Sequence, residues 1–317
     1  MKKFLLLTCG FSFVLIIIYF LIASVCKRTQ LVENNFLRAI IHKHNQIKKI
    51  NNSKILFAGG SNLVFGLNSE KIEDEFSIPV VNLGLHAGLG LDFVLKELEN
   101  SIVDGDVVFL SPEYFLDTEG NYELKSQIAE LYPEANKYFE SNFKSDIVAH
   151  FDRTRTDMKL FTFKSTSDNN QNKLLYLSTL FNKNGDFLGH LGQNSIFKPP
   201  NIPSLIYKYW NGIDKINQFN EIAKTKNVSV FFLYPTFLKS EYLKNKIQIN
   251  KLNHDLEKNL KIEILNSPAD LTFSTDFHFD SKYHLNKKGR DLRTNITINL
   301  IRKNKNVCKK LLEIKNN

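Results

Sequence analysis

The hydrophobic pattern of the chain begins with a long apolar run near the N-terminus. Residues Phe4 to Val25 contain no charged side chain over 22 positions, and basic pairs flank the run at positions 2–3 and 27–28. As an α-helix, the run would be about 33 Å long, enough to cross a hydrocarbon core of roughly 30 Å. A cleaved signal peptide is the alternative, but its apolar region is usually only about 7–15 residues long. We therefore predict an uncleaved signal anchor, a single transmembrane helix, over residues 1–26.

The next segment has apolar residues at helical spacing with polar residues between them. This pattern predicts an amphipathic connecting helix over residues 27–53, which packs on the following domain or lies on the membrane surface. Its apolar positions are Leu31, Val32, Phe36, Leu37, Ile40 and Ile41.

From Lys54 onward, short apolar runs bounded by turn residues alternate with helical patterns. The runs are KILFAGG, PVVNLGL, DVVFLSPEY, NVSVFFLYP and KIEILNSP. The helical patterns are NSEKIEDEF, LDFVLKELENSI and residues 238–260. Continuous apolar runs suit strands that are buried on both faces, as in a parallel sheet. We predict a three-layer α/β/α domain over residues 54–317, with a parallel five-stranded sheet.

Residues 117–215 interrupt this alternation. They are polar and rich in Phe, Tyr and Asn, and they end in the proline-containing stretch IFKPPNIPSL. We interpret them as a helical insertion between two core strands. In an α/β sheet the ligand site lies at the carboxyl ends of the strands, so we expect the insertion to lie near that site.

Composition narrows the class of protein. The chain has 317 residues, of which 43% are hydrophobic, and its formal net charge is +9. The basic residues are spread along the chain and enriched at its ends, without a nucleic-acid-binding motif, so we expect a solvated surface and no nucleic-acid partner. Cys9 and Cys26 belong to the anchor and Cys308 is alone in the body, which excludes a disulfide within the domain.

Two short segments carry the candidate chemistry. In KILFAGGSNLVFG, a buried strand ends in a glycine pair that presents Ser61. In FDSKYHLNKKG, Asp280 and His284 are four residues apart and precede a helix. A serine becomes a good nucleophile when a base takes its proton and a third group orients that base. Read alone, a GGSN turn is a common structural feature, and a lone histidine is usually structural.

Together the segments resemble the SGNH, or GDSL-like, hydrolase family. Ser61 resembles its nucleophile block, with Gly60 in place of the usual aspartate. Asn82-Leu83-Gly84 resembles its oxyanion-glycine block, and Asp280 with His284 its C-terminal block, spaced as in the membrane-anchored, polysaccharide-modifying branch. The resemblance covers about residues 54–116 and 228–302, and it implies an SGNH/flavodoxin-like fold.

This chain departs from the family at one further block, which lies between the oxyanion-glycine block and the C-terminal block. We call it the third block. A Gly-x-Asn-Asp asparagine usually completes the oxyanion hole there, but this chain has LSPEYF with Glu113. We expect the N–H groups of Ser61 and Gly84 to point at the oxyanion, with Asn62 as the weaker candidate for the third donor. Because an ionised Glu113 cannot donate, we expect it to be peripheral, protonated or paired with a base.

Other assignments of the same residues stay open. The run of Asp276, His278, Asp280 and His284 could instead bind a metal ion, although this leaves Ser61 and the glycine blocks unused. Asp186 and His190 could reach the site from the insertion, but a turn with a capping aspartate is the simpler interpretation.

The resemblance implies a membrane-anchored serine esterase or O-acyltransferase with a triad of Ser61, His284 and Asp280. Its substrates would be ester groups of an envelope or exported polysaccharide, and it would need no cofactor or metal. Hydrolysis and transfer use the same triad, so both stay open, as does the oligomeric state. An N-terminal anchor before a hydrolase implies an exported body. The alternative is a catalytically inactive SGNH-fold protein that binds polysaccharide or assists assembly.

Overall fold

The computed structural model of the protein describes residues 1–29, 35–163, 176–198 and 204–316. The chain divides into two compact units. The anchor unit comprises Met1–Phe36 and Ser141–Leu177, and the sheet unit comprises Leu37–Glu140 and Ser178–Asn317.

In chain order, the described helices are α1 (Lys2–Thr29), α2 (Ala39–Lys49), α3 (Ser61–Gly66), α4 (Ser69–Phe76), α5 (Leu91–Ser101), α6 (Tyr122–Leu131), α7 (Phe143–Phe163), α8 (Gly212–Thr225), α9 (Lys239–Lys244), α10 (Lys246–Asn259), α11 (Lys287–Lys303) and α12 (Lys305–Asn316). The described strands are β1 (Ile55–Gly59), β2 (Val80–Asn82), β3 (Val107–Ser111), β4 (Ser229–Phe232), β5 (Phe237–Leu238), β6 (Glu263–Ile264) and β7 (Thr272–Phe273).

A parallel five-stranded sheet forms the centre of the sheet unit, with the strand order β2-β1-β3-β4-β6. The register aligns Gly59 at the end of β1 with Ser111 at the end of β3. Strand order reverses at β1, because the chain first pairs β2 on one side and then β3 on the other. Ligands of open α/β sheets bind at such a switch point, outside the carboxyl ends of the strands.

Each face of the sheet packs on its own hydrophobic cluster, because side chains alternate between faces along a strand. One cluster joins Leu56, Val108 and Phe232 to residues of α5, α8 and α10. The other joins Phe57, Phe109 and residues of α4, α11 and α12. The predicted α/β class with a parallel five-stranded sheet is confirmed, and helices on both faces are compatible with three α/β/α layers.

The segment after the anchor differs from the predicted single connecting helix over residues 27–53. Residues up to Thr29 continue α1, Asn35 forms a bridge with Leu177, and regular α-helix resumes only at Ala39. The predicted apolar positions 31 and 32 lie outside the described residues. In the sheet unit, Leu37 and Ile40 are buried, so the α2 end of this segment packs on the domain, as the first alternative predicted.

The anchor unit contains α1, which is long and apolar enough over Lys2–Ser24 to cross a membrane, and none of that stretch is buried. Helix α7 packs against α1 within this unit. The predicted insertion over residues 117–215 therefore does not form one body: its middle part, Ser141–Leu177, belongs with α1, whereas α6 and residues 178–198 belong to the sheet unit.

Candidate active site

The turn after β1 presents Ser61 at the first position of α3. Gly60 precedes it with an extended backbone, at φ −92° and ψ −155°. This sharp change from strand to helix places the serine hydroxyl just beyond the carboxyl end of β1, at the switch point of the sheet.

The Asp280–His284 segment forms a tight loop before α11. The N–H of Phe279 donates to the carbonyl of His284 at 2.9 Å, which closes the loop. Inside it, the Ser281 hydroxyl accepts from the N–H of His284 at 3.2 Å. These bonds fix the backbone on both sides of the histidine, and they bring Asp280 and His284 to the same side of the loop.

The structure brings the three predicted triad side chains together. Ser61 Oγ lies 2.8 Å from His284 Nε2, and His284 Nδ1 lies 2.6 Å from Asp280 Oδ1. Because a carboxylate only accepts hydrogen bonds, this network assigns the proton of a neutral His284 to Nδ1, leaving Nε2 to accept from the serine hydroxyl. The His284 and Asp280 side chains are only 17% and 16% exposed.

An aromatic platform holds the His284 ring. The rings of Phe65 and His284 stack with centroids 4.1 Å apart and an angle of 9° between their planes. Phe65 lies four residues after Ser61 on α3, and residues at this spacing share a helix face. One short helix therefore supplies both the serine and the surface on which its histidine partner rests.

Glu113 belongs to the third block, where this chain differs from the family pattern, and it lies against the serine turn. It is only 5% exposed, and its Oε1 accepts from the N–H of Asn62 at 3.0 Å. Among the described residues its Oε2 has no hydrogen-bond partner. Of the three alternatives expected for Glu113, the peripheral placement is therefore wrong.

The departures at positions 60 and 113 are sterically linked. A Cβ atom added to Gly60 would lie 2.6 Å from Glu113 Cδ and closer still to both carboxylate oxygens. Real Cβ atoms do not approach other atoms so closely, so the Glu113 carboxylate occupies the space of a side chain at position 60. A side chain at position 60 would therefore displace the Glu113 carboxylate from its present position.

A buried arginine crosses beneath the same turn. Arg293 of α11 is 1% exposed, and its Nη2 donates to Asn62 Oδ1 at 2.9 Å and to the Ser111 hydroxyl at 3.3 Å. It also donates to the carbonyl of Asn62. Burial lowers the pKa of Arg293, and the charge of Glu113 opposes this shift. The basic partner expected for Glu113 is thus an electrostatic neighbour, not a direct ion pair.

Neither group predicted to complete the oxyanion hole is free to do so in this conformation. The N–H of Gly84 donates to Asn82 Oδ1 at 3.0 Å, within its own turn. The Asn62 side chain is fully buried, and its Nδ2 donates to the carbonyl of Ser111 at 2.8 Å. This corrects the expectation that Gly84 and Asn62 point at an oxyanion: both instead hold the serine turn and the neighbouring strand ends in place.

Two donors remain for an oxyanion, and the N–H of Ser61 is the one already predicted. The N–H of Ser61 has no acceptor among the described residues. His86 follows β2, and its Nδ1 accepts from the N–H of Gly88 at 2.9 Å, so the proton of its neutral ring is on Nε2. The His86 ring reaches the surface, yet partial desolvation lowers its pKa; nearby Glu113 opposes that shift and His284 adds to it.

The structure gives little support to the alternative assignments of the candidate residues. Across the described ranges, no group of three or more His, Cys, Asp or Glu side chains is placed to hold one metal ion. Asp186 is fully buried and accepts from the N–H and hydroxyl of Ser69 at the start of α4, which fits the predicted capping turn. His190 is also fully buried, against the rings of Phe65 and Phe187, and burial lowers its pKa to about 4.

The sequence analysis did not single out Phe65, Arg293 or His86. Phe65 carries a usable signal, because it stands one helical turn after the serine. His86 stands two residues after Gly84, just beyond the Asn82-Leu83-Gly84 block. Nothing in the local sequence marks Arg293, since its partners Asn62 and Ser111 are distant in the chain.

The chain was compared with known proteins. No protein-family model matches it, and a search of curated proteins also finds no match. The family resemblance therefore rests on the motifs around Ser61, Gly84 and His284 and on the α/β fold that carries them.

Proposed function

We propose that the chain is a membrane-anchored serine esterase or O-acyltransferase of the SGNH type, acting on ester groups of an envelope or exported polysaccharide. The observation that carries the proposal is the continuous hydrogen-bonded path from Ser61 through His284 to Asp280, with distances of 2.8 and 2.6 Å. Its position at the switch point of a parallel sheet supports the same interpretation. The apolar helix α1 would anchor the protein, with the sheet unit on the extracytoplasmic side.

The reaction begins at the serine hydroxyl. As Ser61 Oγ attacks the ester carbonyl, His284 Nε2 takes its proton, and Asp280 stabilises the imidazolium that forms. The tetrahedral intermediate collapses when the C–O bond to the leaving alcohol breaks, and His284 returns the proton to that alcohol. The product of this half-reaction is an acyl-serine. His284 then deprotonates water or a sugar hydroxyl, which attacks the acyl carbon. The bond from that carbon to Ser61 Oγ breaks, and His284 returns the proton to Ser61.

Because Gly84 and Asn62 have partners elsewhere, the oxyanion requires one donor besides the predicted N–H of Ser61. In our proposal, the N–H of Ser61 supplies one and the Nε2–H of His86 supplies the other. His86 suits this role because its Nδ1 is already bonded to the N–H of Gly88, which fixes the donor on the opposite side of the ring. Its lowered pKa favours the neutral ring, which keeps this tautomer.

A second candidate function is a non-catalytic protein that binds polysaccharide or assists assembly. The specific observation in its favour is that the Gly84 N–H and the Asn62 side chain both have intramolecular partners. A hole with fewer donors gives a slower enzyme, since the loss of one donor typically costs about 10²–10³ in rate.

Kinetics of triad variants separate the two functions. The assay uses full-length protein in detergent with an acetylated oligosaccharide, and it measures both acetate release and transfer to a second oligosaccharide. We expect Ser61→Ala or His284→Ala to lower kcat by about 10⁶, and Asp280→Asn to lower it by about 10⁴, since the orienting acid usually contributes less. Wild-type turnover no faster than that of Ser61→Ala, across several acyl esters, would favour the binding protein.

A further inference from the structure

Helix α7 exposes large apolar side chains in the anchor unit. Phe143, Ile147, Val148 and Phe151 are between 41% and 81% exposed. The spacing of four from Phe143 through Ile147 to Phe151 places these three side chains on one face of the helix. We call this the α7 apolar face. A contiguous exposed apolar surface marks a contact with a protein or a membrane.

The point along α1 at which α7 packs indicates what the α7 apolar face contacts. The ring of Phe151 lies 4.9 Å from that of Tyr19, and the ring of His150 lies 6.0 Å from it. Tyr19 precedes Ser24, the last residue of the apolar span, by five residues, or about 7–8 Å along the helix axis. Interfacial helices bury their apolar face about 5–10 Å into the boundary between headgroups and acyl chains. Helix α7 therefore meets α1 at the depth at which interfacial helices lie.

We propose that α7 is an interfacial helix whose apolar face enters the lipid beside the C-terminal end of the α1 span. The proposal rests on α1 spanning a membrane, which is part of the proposed function. Lipid is the occupant because the α7 apolar face adjoins the exposed surface that α1 itself presents to acyl chains. Arg155 continues the spacing of four after Phe151, and its long side chain can carry the guanidinium group to the headgroups. The exposed Asp152 lies away from Phe143 and Ile147, where headgroups and water would solvate it.

Photo-crosslinking to lipid tests this placement. The full-length protein is reconstituted into vesicles of phosphatidylcholine and phosphatidylglycerol, with benzoyl-phenylalanine replacing Phe143 or Ile147 in separate preparations. The same replacement at Asp152, an exposed polar position of α7, is the matched control. Replacement at Phe13, which is 64% exposed in the middle of α1, reports on the anchor itself. Mass spectrometry of irradiated samples measures the fraction of each labelled peptide that carries a lipid.

We expect lipid adducts at positions 13, 143 and 147, and severalfold fewer at position 152. Adducts at position 13 with none above the position-152 level at 143 and 147 would overturn the proposal while leaving the anchor intact. No adducts at position 13 would show that α1 does not span the bilayer, and the interfacial assignment would then fall with the anchor.

Discussion

At the scale of single residues, the serine turn is held by groups that differ from the SGNH pattern yet depend on one another. Glu113 accepts from the N–H of Asn62, Arg293 binds the other side of Asn62, and Gly60 leaves room for the Glu113 carboxylate. The carboxyl group of Glu113 thus lies beside position 60, in the space that a side chain there would occupy. The residues at positions 60 and 113 are therefore linked sterically.

A double-mutant cycle tests this link between Gly60 and Glu113. Gly60→Ala should lower the free energy of unfolding by about 1–3 kcal/mol, because its Cβ overlaps the Glu113 carboxyl group. In a Glu113→Ala background, the same substitution should cost much less, which gives a coupling energy of about 0.5–3 kcal/mol. Denaturant titration of the four proteins measures it.

Glu119→Ala is the matched control for that cycle, because Glu119 is an exposed acid outside the turn. Gly60→Ala should cost the same with or without it. If the cost of Gly60→Ala were equally unchanged by Glu113→Ala, the steric link would be refuted.

The donor proposed for His86 gives a second residue-scale prediction. His86→Phe should lower kcat by about 10²–10³ with little change in KM, because an oxyanion donor acts in the transition state. His86→Gln should recover part of the loss, since the glutamine amide can donate. His254→Phe, at an exposed histidine of α10, is the control and should change neither constant. A His86→Phe enzyme with wild-type kcat would remove His86 from the mechanism.

At the scale of elements, the sequence predicted secondary structure best where the element is buried. All five predicted strand runs lie in the central sheet, because continuous apolar runs with turn residues at both ends have few other ways to be buried. The sequence did not predict α3 or the β5–β7 pair. Helix α3 has only six residues and the strands of the pair two each, so they lack the length over which a periodic pattern can be recognised.

The residues of the site also divide into those whose positions the sequence predicted and those whose roles it did not. Local strings of residues predicted that Ser61, Asp280 and His284 would meet, since a strand-end turn and a loop before a helix both place side chains at the edge of the sheet. The structural roles of Gly84 and Asn62 could not be predicted, because their hydrogen-bond partners depend on how the folded chain packs. The partners of Asn62, at positions 111, 113 and 293, are set by tertiary structure alone.

Helix α2 contributes an element-scale prediction about pH. Lys43 is 1% exposed, its Nζ donates to the carbonyls of Asn82 and Gly185 at 2.6 Å each, and burial lowers its pKa to about 7. Between pH 7 and the normal lysine pKa near 10.5, the unfolded chain therefore binds a proton that the folded chain does not. The contribution of Lys43 to the free energy of unfolding should rise with pH across this range.

Comparison with Lys43→Met checks the sign. Unfolding of the wild type and the variant is measured at several pH values between 7 and 10, and the wild type should gain stability relative to Lys43→Met as pH rises. Lys48→Met, at an exposed lysine on the same helix, should show no such trend. A wild type that loses stability relative to Lys43→Met would mean that Lys43 is stabilised in its charged form.

At the scale of the whole molecule, the chain combines an apolar N-terminal helix with an α/β unit that carries a hydrogen-bonded serine, histidine and aspartate. Either part alone is compatible with several functions. In the function that we propose, the two parts belong to an enzyme that works on a polysaccharide near a membrane surface. The middle of the insertion belongs with the anchor helix, whereas its two ends belong with the unit that holds the site.

The most direct test of the central claim is detection of an acyl group on Ser61. The full-length protein is mixed with p-nitrophenyl acetate, quenched with acid within seconds, digested, and analysed by peptide mass spectrometry. We predict one acetyl group on Ser61 in the wild type, which decays on longer incubation, and none on Ser61 in folded His284→Ala. An unmodified Ser61 in the wild type, or equal acetylation in His284→Ala, would contradict a mechanism in which His284 activates Ser61.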